Sequence, residues 1–380
     1  MTELRQDSSG LGVLILGCGR AGELHLECLL RASSAGALRP PHSIGLFDPR
    51  PDRSIRLGRR TAAESARRGL RWPEPAVFAT LDQALAQHAA NSSVIDVCAP
   101  NAFHAELVEG AIRSGARRIL VEKPMFLDVE DFHRFRRPGV AVVGVHNYLY
   151  SGVTRRLGEV LRVRDLEPRR ARLVFRKDRH QDSQEGRGFA RGRAPHAVAV
   201  EMPHLFYLSA ALFGRLRVTG CISWPMRLDG VELEGHGGAW VELVSDRGVR
   251  VTCGTPLNEG DHGGERSVRV ECAGGRSVRA VYPRSRASER RGVVELLRGD
   301  QVAERWVEED FSMDVCLLDA WARLARAPEQ PRADATGMEV ARLFQEAMRL
   351  DHRVSGPPAA GAESEERAGA VLLPPADSGR

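Results

Sequence analysis

The sequence predicts an α/β chain: a doubly wound parallel sheet in its first half, then an α+β second half built on a mostly antiparallel sheet. Three observations predict it. Short apolar runs alternate with helical patterns up to about residue 161. A glycine-rich turn, Gly17-Cys18-Gly19-Arg20-Ala21-Gly22, follows the first of those runs directly. From about Glu167, alternating strand patterns joined by glycine turns take over.

The elements follow in order. Leu11 to Leu16 reads as a buried strand, and Glu23 to Arg31 as a helix with Leu24, Cys28 and Leu29 on one face. A loop of small residues and proline runs to His42, then a strand from Ile44 to Phe47 ends at Asp48. Pro51 to Arg68 forms a polar helix. Val77-Phe78, a helix over Leu81 to His88, and a strand over Val94 to Ala99 continue the alternation. Phe103 to Ser114 is helical, and Arg118 to Glu122 is the fifth strand. Val140 to His146 is the sixth, with a helix from Gly152 to Leu161. Strands separated by helices imply a parallel sheet covered on both faces.

In the second half the strands are Ala239–Val244, Val249–Cys253, Val268–Cys272, Val278–Tyr282 and Val293–Leu297. Asp246-Arg247-Gly248, Ala273-Gly274-Gly275 and Gly299-Asp300 supply the hairpin turns. Helices are expected at Ala197–Phe213, Met313–Arg326 and Gly337–His352. The expected domains are a disordered leader over 1–10, a nucleotide-binding domain over 11–125, a second domain over 126–354 and a disordered tail over 355–380.

Composition excludes several classes. No stretch approaches the roughly 20 apolar residues that span a bilayer, and the N-terminus lacks the apolar core of a secretion signal. Seven scattered cysteines without a Cys-x-x-Cys pair argue against a disulfide framework or a structural zinc, and fit a reducing cytoplasm. A net charge of +5, with no basic motif interleaved with aromatics, gives no case for nucleic acid. One segment, 155–193, is locally basic, with 13 Lys/Arg against six Asp/Glu, and fits an anionic substrate.

Of the 55 basic residues only two, Lys123 and Lys177, are lysines. Guanidinium stays protonated, whereas a desolvated ammonium can give up its proton. A lysine in Glu122-Lys123-Pro124, at the end of an apolar strand, therefore points to proton transfer.

The glycine turn has the context of a dinucleotide site: a strand enters, a helix leaves, and Asp48 ends the next strand. Gly17 permits the tight turn, Gly19 lets the backbone approach a pyrophosphate, and Gly22 lets helix and sheet pack closely. Asp48 suits two hydrogen bonds to an adenosine ribose and repels a 2′-phosphate, so NAD(H) is favoured over NADP(H), although Arg50 and Arg53 offer that phosphate a partner.

Five motifs together resemble the Gfo/Idh/MocA oxidoreductase family, which includes glucose–fructose oxidoreductase and inositol dehydrogenase. They are the glycine turn with His25, Asp96-Val97-Cys98-Ala99-Pro100-Asn101 with His104, Val121-Glu122-Lys123-Pro124, Val143-Gly144-Val145-His146-Asn147-Tyr148, and the closing helix near Gly337. The resemblance covers about 11–352. It implies a Rossmann domain, then a domain on a large, open, mostly antiparallel sheet, with the nicotinamide between them. It implies that Lys123 handles the proton of the reacting hydroxyl or carbonyl and that His204 is a second proton-transfer group. Gly17, Cys18, Gly19, Arg20, Ala21, Gly22, Asp48, Ala99, Pro100, Asn101, His104, Glu122 and Asn147 would hold the cofactor.

Tyr148, Lys177, His196 and Glu201 are candidate substrate contacts. The family's helical Asp falls on Val200 here, and Glu201 lies one residue later, so the substrate assignment is the open part. Pro203 would disturb a continuous helix. No metal is expected, because nothing completes a set from His196, Glu201 and His204. The expected activity is hydride transfer between the nicotinamide and a secondary alcohol or ketone of a sugar, cyclitol or derivative, by a cytoplasmic homo-dimer or homo-tetramer. Its rivals are reduction of a C=N, C=C or dihydrodiol-type substrate, and a non-catalytic NAD-binding sensor or partner protein.

Overall fold

In the computed structural model the described residues are 10–89, 92–178, 196–228, 231–257, 266–283, 290–326 and 334–357. Apart from Gly10 and 355–357, the expected leader and tail lie outside them. Two compact units divide at Ser151/Gly152, Asp310/Phe311 and Ala341/Arg342.

The first unit holds a six-stranded sheet in the order β3-β2-β1-β4-β5-β6, all parallel. The strands are β1 (Gly12–Leu16), β2 (Ile44–Phe47), β3 (Ala76–Val77), β4 (Ser93–Val97), β5 (Arg118–Val121) and β6 (Ala141–Gly144). Its helices are α1 (Arg20–Ser34), α2 (Pro51–Arg67), α3 (Leu81–His88), α4 (His104–Arg113) and α5 (Val129–Arg134). The unit continues past residue 125, because β6 pairs with β5.

Side chains of β1 alternate between two cores, as period-two strands require. Val13 and Ile15 pack with α1 and with a helix from far along the chain, α8 (Ser312–Ala325), through Cys316, Leu317, Ala320 and Trp321. Leu14 and Leu16 pack on the opposite face with residues of α3, α4 and α5. An Arg31–Asp314 ion pair at 2.8 Å joins α1 to α8.

The second unit contains a nine-stranded sheet, β14-β13-β12-β11-β7-β10-β9-β8-β15. These strands are β7 (Pro168–Phe175), β8 (Leu216–Leu228), β9 (Val231–Ser245), β10 (Arg250–Pro256), β11 (Arg266–Cys272), β12 (Arg276–Val281), β13 (Arg291–Arg298), β14 (Gln301–Glu309) and β15 (Asp351–Arg353). All pairs are antiparallel except β7 with β10 and β8 with β15. Helices α6 (Gly152–Val163) and α7 (Met202–Phe213) pack against it. The last helix, α9 (Ala335–Leu350), spans the division between the units.

Several elements differ from expectation. The long strands β8 and β9, of which only Ala239–Val244 was expected, contain Pro225, Gly237 and Gly238. Here a Cβ on Gly238 would strike the Trp224 indole, and one on Gly254 the Trp240 indole. These glycines make room for aromatic rings inside the sheet. The expected helix Ala197–Phe213 is two pieces: a single 3₁₀ turn, Ala197–Ala199, and α7. Pro203 falls in the first turn of α7, where its missing N–H costs nothing, so it starts that helix rather than disturbing it. The last helix stops at Leu350 because 351–353 pair with β8.

Candidate active site

The register of the first sheet places the candidate residues on one edge. Phe47, Leu16, Val97, Val121 and Gly144 are Cα partners in succession across β2, β1, β4, β5 and β6. Within three residues beyond that line come Asp48, the start of the glycine turn, Ala99-Pro100, Lys123 and Asn147. This is the carboxyl edge of a parallel sheet, and the strand order reverses direction between β1 and β4. Ligands bind at such a switch point.

The three glycines of the turn differ in what surrounds them. Gly17 has φ +104°, and a Cβ there would meet the Cys98 carbonyl carbon and Ala99 nitrogen at 2.8 Å. A Cβ on Gly22 would run into Gly17 O and lie 2.9 Å from Ile15 Cγ2. A Cβ on Gly19 would meet nothing within 4 Å. Gly17 and Gly22 are thus required by the fold, and Gly19 leaves open space beside the N-terminus of α1, which it caps without a side-chain hydrogen bond. That cradle fits a pyrophosphate, whose oxygens would accept from the first-turn N–H groups.

Asp48 is buried at the end of β2. Its Oδ2 accepts from the Cys18 N–H and its Oδ1 from the Arg50 N–H, both at 2.9 Å. The carboxylate is fixed against the glycine turn and keeps acceptor capacity on each oxygen. Arg20 is half-exposed and pairs with Glu23 at 3.7 Å.

His104 ties two loops together: its Nε2 lies 2.8 Å from Ala99 O and its Nδ1 2.9 Å from Pro124 O. Burial pushes its pKa down and the carbonyls push it up, with burial the larger effect. The Lys123–Pro124 bond is cis. Lys123 is partly buried, and Asn147 opens a 3₁₀ turn after β6 with Tyr148 buried behind it.

The sequence reading missed what lies beneath Lys123. His25, wholly buried on α1, has Nδ1 2.9 Å from Asp96 Oδ2 and Nε2 3.0 Å from Glu122 Oε1. Glu122 Oε2 accepts the Lys123 N–H at 2.8 Å. Burial alone would lower the His25 pKa, but the Asp96 charge and hydrogen bond outweigh it and raise the pKa well above 6.5. Burial alone would raise Glu122, but the His25 hydrogen bond and the charges of His25 and Lys123 hold it at about 2. The signal in the sequence was an acid, Asp96, inside the apolar strand Ser93–Val97, which needs a buried partner.

These shifts fix a pH dependence. His25 titrates higher folded than unfolded, so its contribution is complete below about 6.5 and is lost as pH rises through the folded value. Glu122 titrates lower folded than unfolded, so its contribution is complete above about 4.5 and is lost as pH falls toward about 2. His88 and His104, whose pKa values burial lowers, act in the opposite sense, so the comparison is with His25→Gln: in denaturant unfolding, the stability advantage of the wild type over that variant should shrink from pH 6 to pH 8. An advantage that does not change between the two pH values would contradict a charged His25.

The second unit carries its own cluster. Glu201, the residue just before α7, places Oε1 3.3 Å from Lys177 Nζ and Oε2 3.9 Å from His204 Nε2. Glu201 and His204 are both buried, and the His204 ring lies 6.2 Å from that of Phe175. His196 is held elsewhere, accepting the Val198 N–H on Nδ1 and facing Asp351 at 3.3 Å. Of the basic 155–193 segment, residues 179–193 lie outside the described residues.

Residues 11–137 match the profile of the oxidoreductase family with an NAD-binding Rossmann fold, GFO_IDH_MocA. This segment belongs to the Gfo/Idh/MocA family. The match covers the NAD-binding Rossmann segment of such oxidoreductases, and the chain's two sheets are the doubly wound and mostly antiparallel ones expected from its sequence. No curated protein matches the chain.

Solved structures share the fold at low identity. KijD10, a 3-ketoreductase from Actinomadura kijaniata in complex with NADP and TDP-benzene, has a TM-score of 0.72 at 18% identity, over 92% of this chain and 100% of that one. A putative NADPH-dependent oxidoreductase from Desulfitobacterium hafniense has a TM-score of 0.67 at 17% identity, over 90% and 95%. GenD2 from gentamicin A biosynthesis, in complex with NAD, has a TM-score of 0.61 at 19% identity, over 90% and 94%. Among the described residues no helix is long and apolar enough to cross a membrane.

Proposed function

We propose that the protein moves a hydride between a nicotinamide and a secondary alcohol or ketone of a sugar or sugar derivative. The observation that carries this reading is the shared edge: Lys123 leaves β5 on the same register line as the glycine turn and Asp48. The cofactor supplies the hydride chemistry when bound. The α1 N-terminus and Gly19 receive its pyrophosphate, and Asp48 accepts from its ribose hydroxyls. Lys123 donates a proton to the carbonyl oxygen during reduction and takes it back during oxidation. In the second unit His204, beside Glu201, is assigned the second proton-handling role. Glu201 also stands against Lys177, so the ammonium and imidazole share one carboxylate.

A nucleotide-linked sugar is the substrate class we favour. The locally basic 155–193 segment suits its phosphates, and KijD10, of the same fold, is a 3-ketoreductase crystallised with a TDP compound. Asp48 favours NADH, because a carboxylate 4 Å from a 2′-phosphate costs up to about 4 kcal/mol at an effective dielectric near 20. Steady-state kinetics with a keto-sugar nucleotide should give a KM for NADH at least tenfold below that for NADPH. The reverse order would overturn the assignment of Asp48.

A further inference from the structure

Both ring nitrogens of His25 face carboxylates, at 2.9 and 3.0 Å. An ionised carboxylate only accepts hydrogen bonds, and a neutral imidazole has a single N–H. Two such contacts therefore need one more proton than a neutral ring and two carboxylates hold. Asp96 presents both oxygens to Nδ1, at 2.9 and 3.1 Å, as an acceptor pair does. Glu122 already accepts the Lys123 N–H on its other oxygen. The geometry thus puts the proton on the ring.

The remaining groups around His25 are thiols. Cys98 Sγ lies 3.3 Å from Nδ1, and burial raises its pKa. Cys28 on α1 and Cys316 on α8 are likewise pushed up to about 12 by burial. Beyond Cys28 stands the Arg31–Asp314 pair, whose charges offset one another. Buried charge of this kind is costly, and apolar residues of similar volume often stabilise a fold as well or better. Packing alone does not account for it.

We propose that His25 is a positioning residue held as an imidazolium between Asp96 and Glu122, which orients the Glu122–Lys123 peptide and weakens the hold of Lys123 on its proton. This rests on the reading of Lys123 as the proton-handling group. A bare Glu122 carboxylate would favour the charged ammonium, and the imidazolium on its far oxygen opposes that. His25 touches no reacting atom.

The test needs neither substrate nor turnover. Full-length protein labelled with ¹³Cε-lysine should give two lysine signals, one for each of Lys123 and Lys177. In His25→Gln the Lys123 titration midpoint should rise by about half a pH unit or more, while that of Lys177, beside Glu201, stays put. In Glu122→Gln the Lys123 midpoint should fall. Histidine-selective ¹⁵N spectra of the wild type should keep the His25 ring in the imidazolium range to pH 8. An unchanged Lys123 midpoint in both variants, or a neutral His25 ring at pH 7, would overturn the proposal. Should His25→Gln fail to fold, the wild-type ¹⁵N spectrum and Glu122→Gln decide it. Loss of the catalytic reading of Lys123 itself would appear in turnover, which this titration does not use.

Discussion

Replacing Lys123 with Met is expected to lower kcat by about 10²- to 10⁴-fold, the range that general acid–base catalysis supplies, while NADH binds with nearly unchanged affinity. Methionine keeps most of the apolar stem of the side chain and removes its ionisable amine. Lys123 is partly buried at the end of β5, and its N–H is held by Glu122, so the backbone should stay in place. NADH fluorescence titration and single-turnover kinetics check the two halves separately. Turnover within a few-fold of the wild type would leave Lys123 a structural residue and remove the catalytic reading. Loss of turnover with retained NADH binding also sets the enzyme apart from a sensor, which needs no proton-handling group.

The second large effect separates folding from binding within one glycine turn. Gly19→Ala adds a methyl into space with no protein atom within 4 Å. The variant should fold with wild-type stability and lose NADH affinity by roughly tenfold or more, because the backbone then cannot approach the pyrophosphate closely. Gly22→Ala pushes a Cβ against Gly17 O and Ile15. Overpacking of that kind costs about 1–3 kcal/mol, so thermal denaturation should show a lowered Tm. Calorimetry and NADH titration on both variants give the contrast. Undiminished NADH affinity in Gly19→Ala would mean that the turn is not the dinucleotide cradle.

The first unit was legible in sequence because each of its strands is a short apolar run closed by a residue with a distinct job. Leu16 is followed by Gly17, Phe47 by Asp48, and Val121 by Glu122 and Lys123. In a parallel sheet those strand ends share an edge, so sequence alone groups these candidate residues there. Period-two and period-3.6 patterns also separated strands from helices there.

The second unit was less legible for identifiable reasons. The expected strands Ala239–Val244 and Val249–Cys253 stop beside Gly238 and Gly254, yet both glycines lie within strands, against indole rings. Val200 and Glu201 fall inside the helix expected over Ala197–Phe213, with Glu201 one residue past the position of the family's Asp. The chain in fact interrupts the helix before Met202, which frees Glu201 to reach both Lys177 and His204. The His25–Asp96–Glu122 network was hidden because its members lie on three different elements. Their pairing is tertiary, across 71 and 97 residues of sequence. A lone buried acid in an apolar strand signals that a partner exists and cannot say which one.

The most direct measurement uses the chain's two lysines. A pulse of amine acylation, read residue by residue by mass spectrometry, reports how accessible Lys123 is with and without NADH. Saturating NADH should suppress acylation of Lys123 by tenfold or more relative to the N-terminal amine. Equal labelling of Lys123 in the presence and absence of NADH would contradict the placement of its ammonium beside the bound nicotinamide.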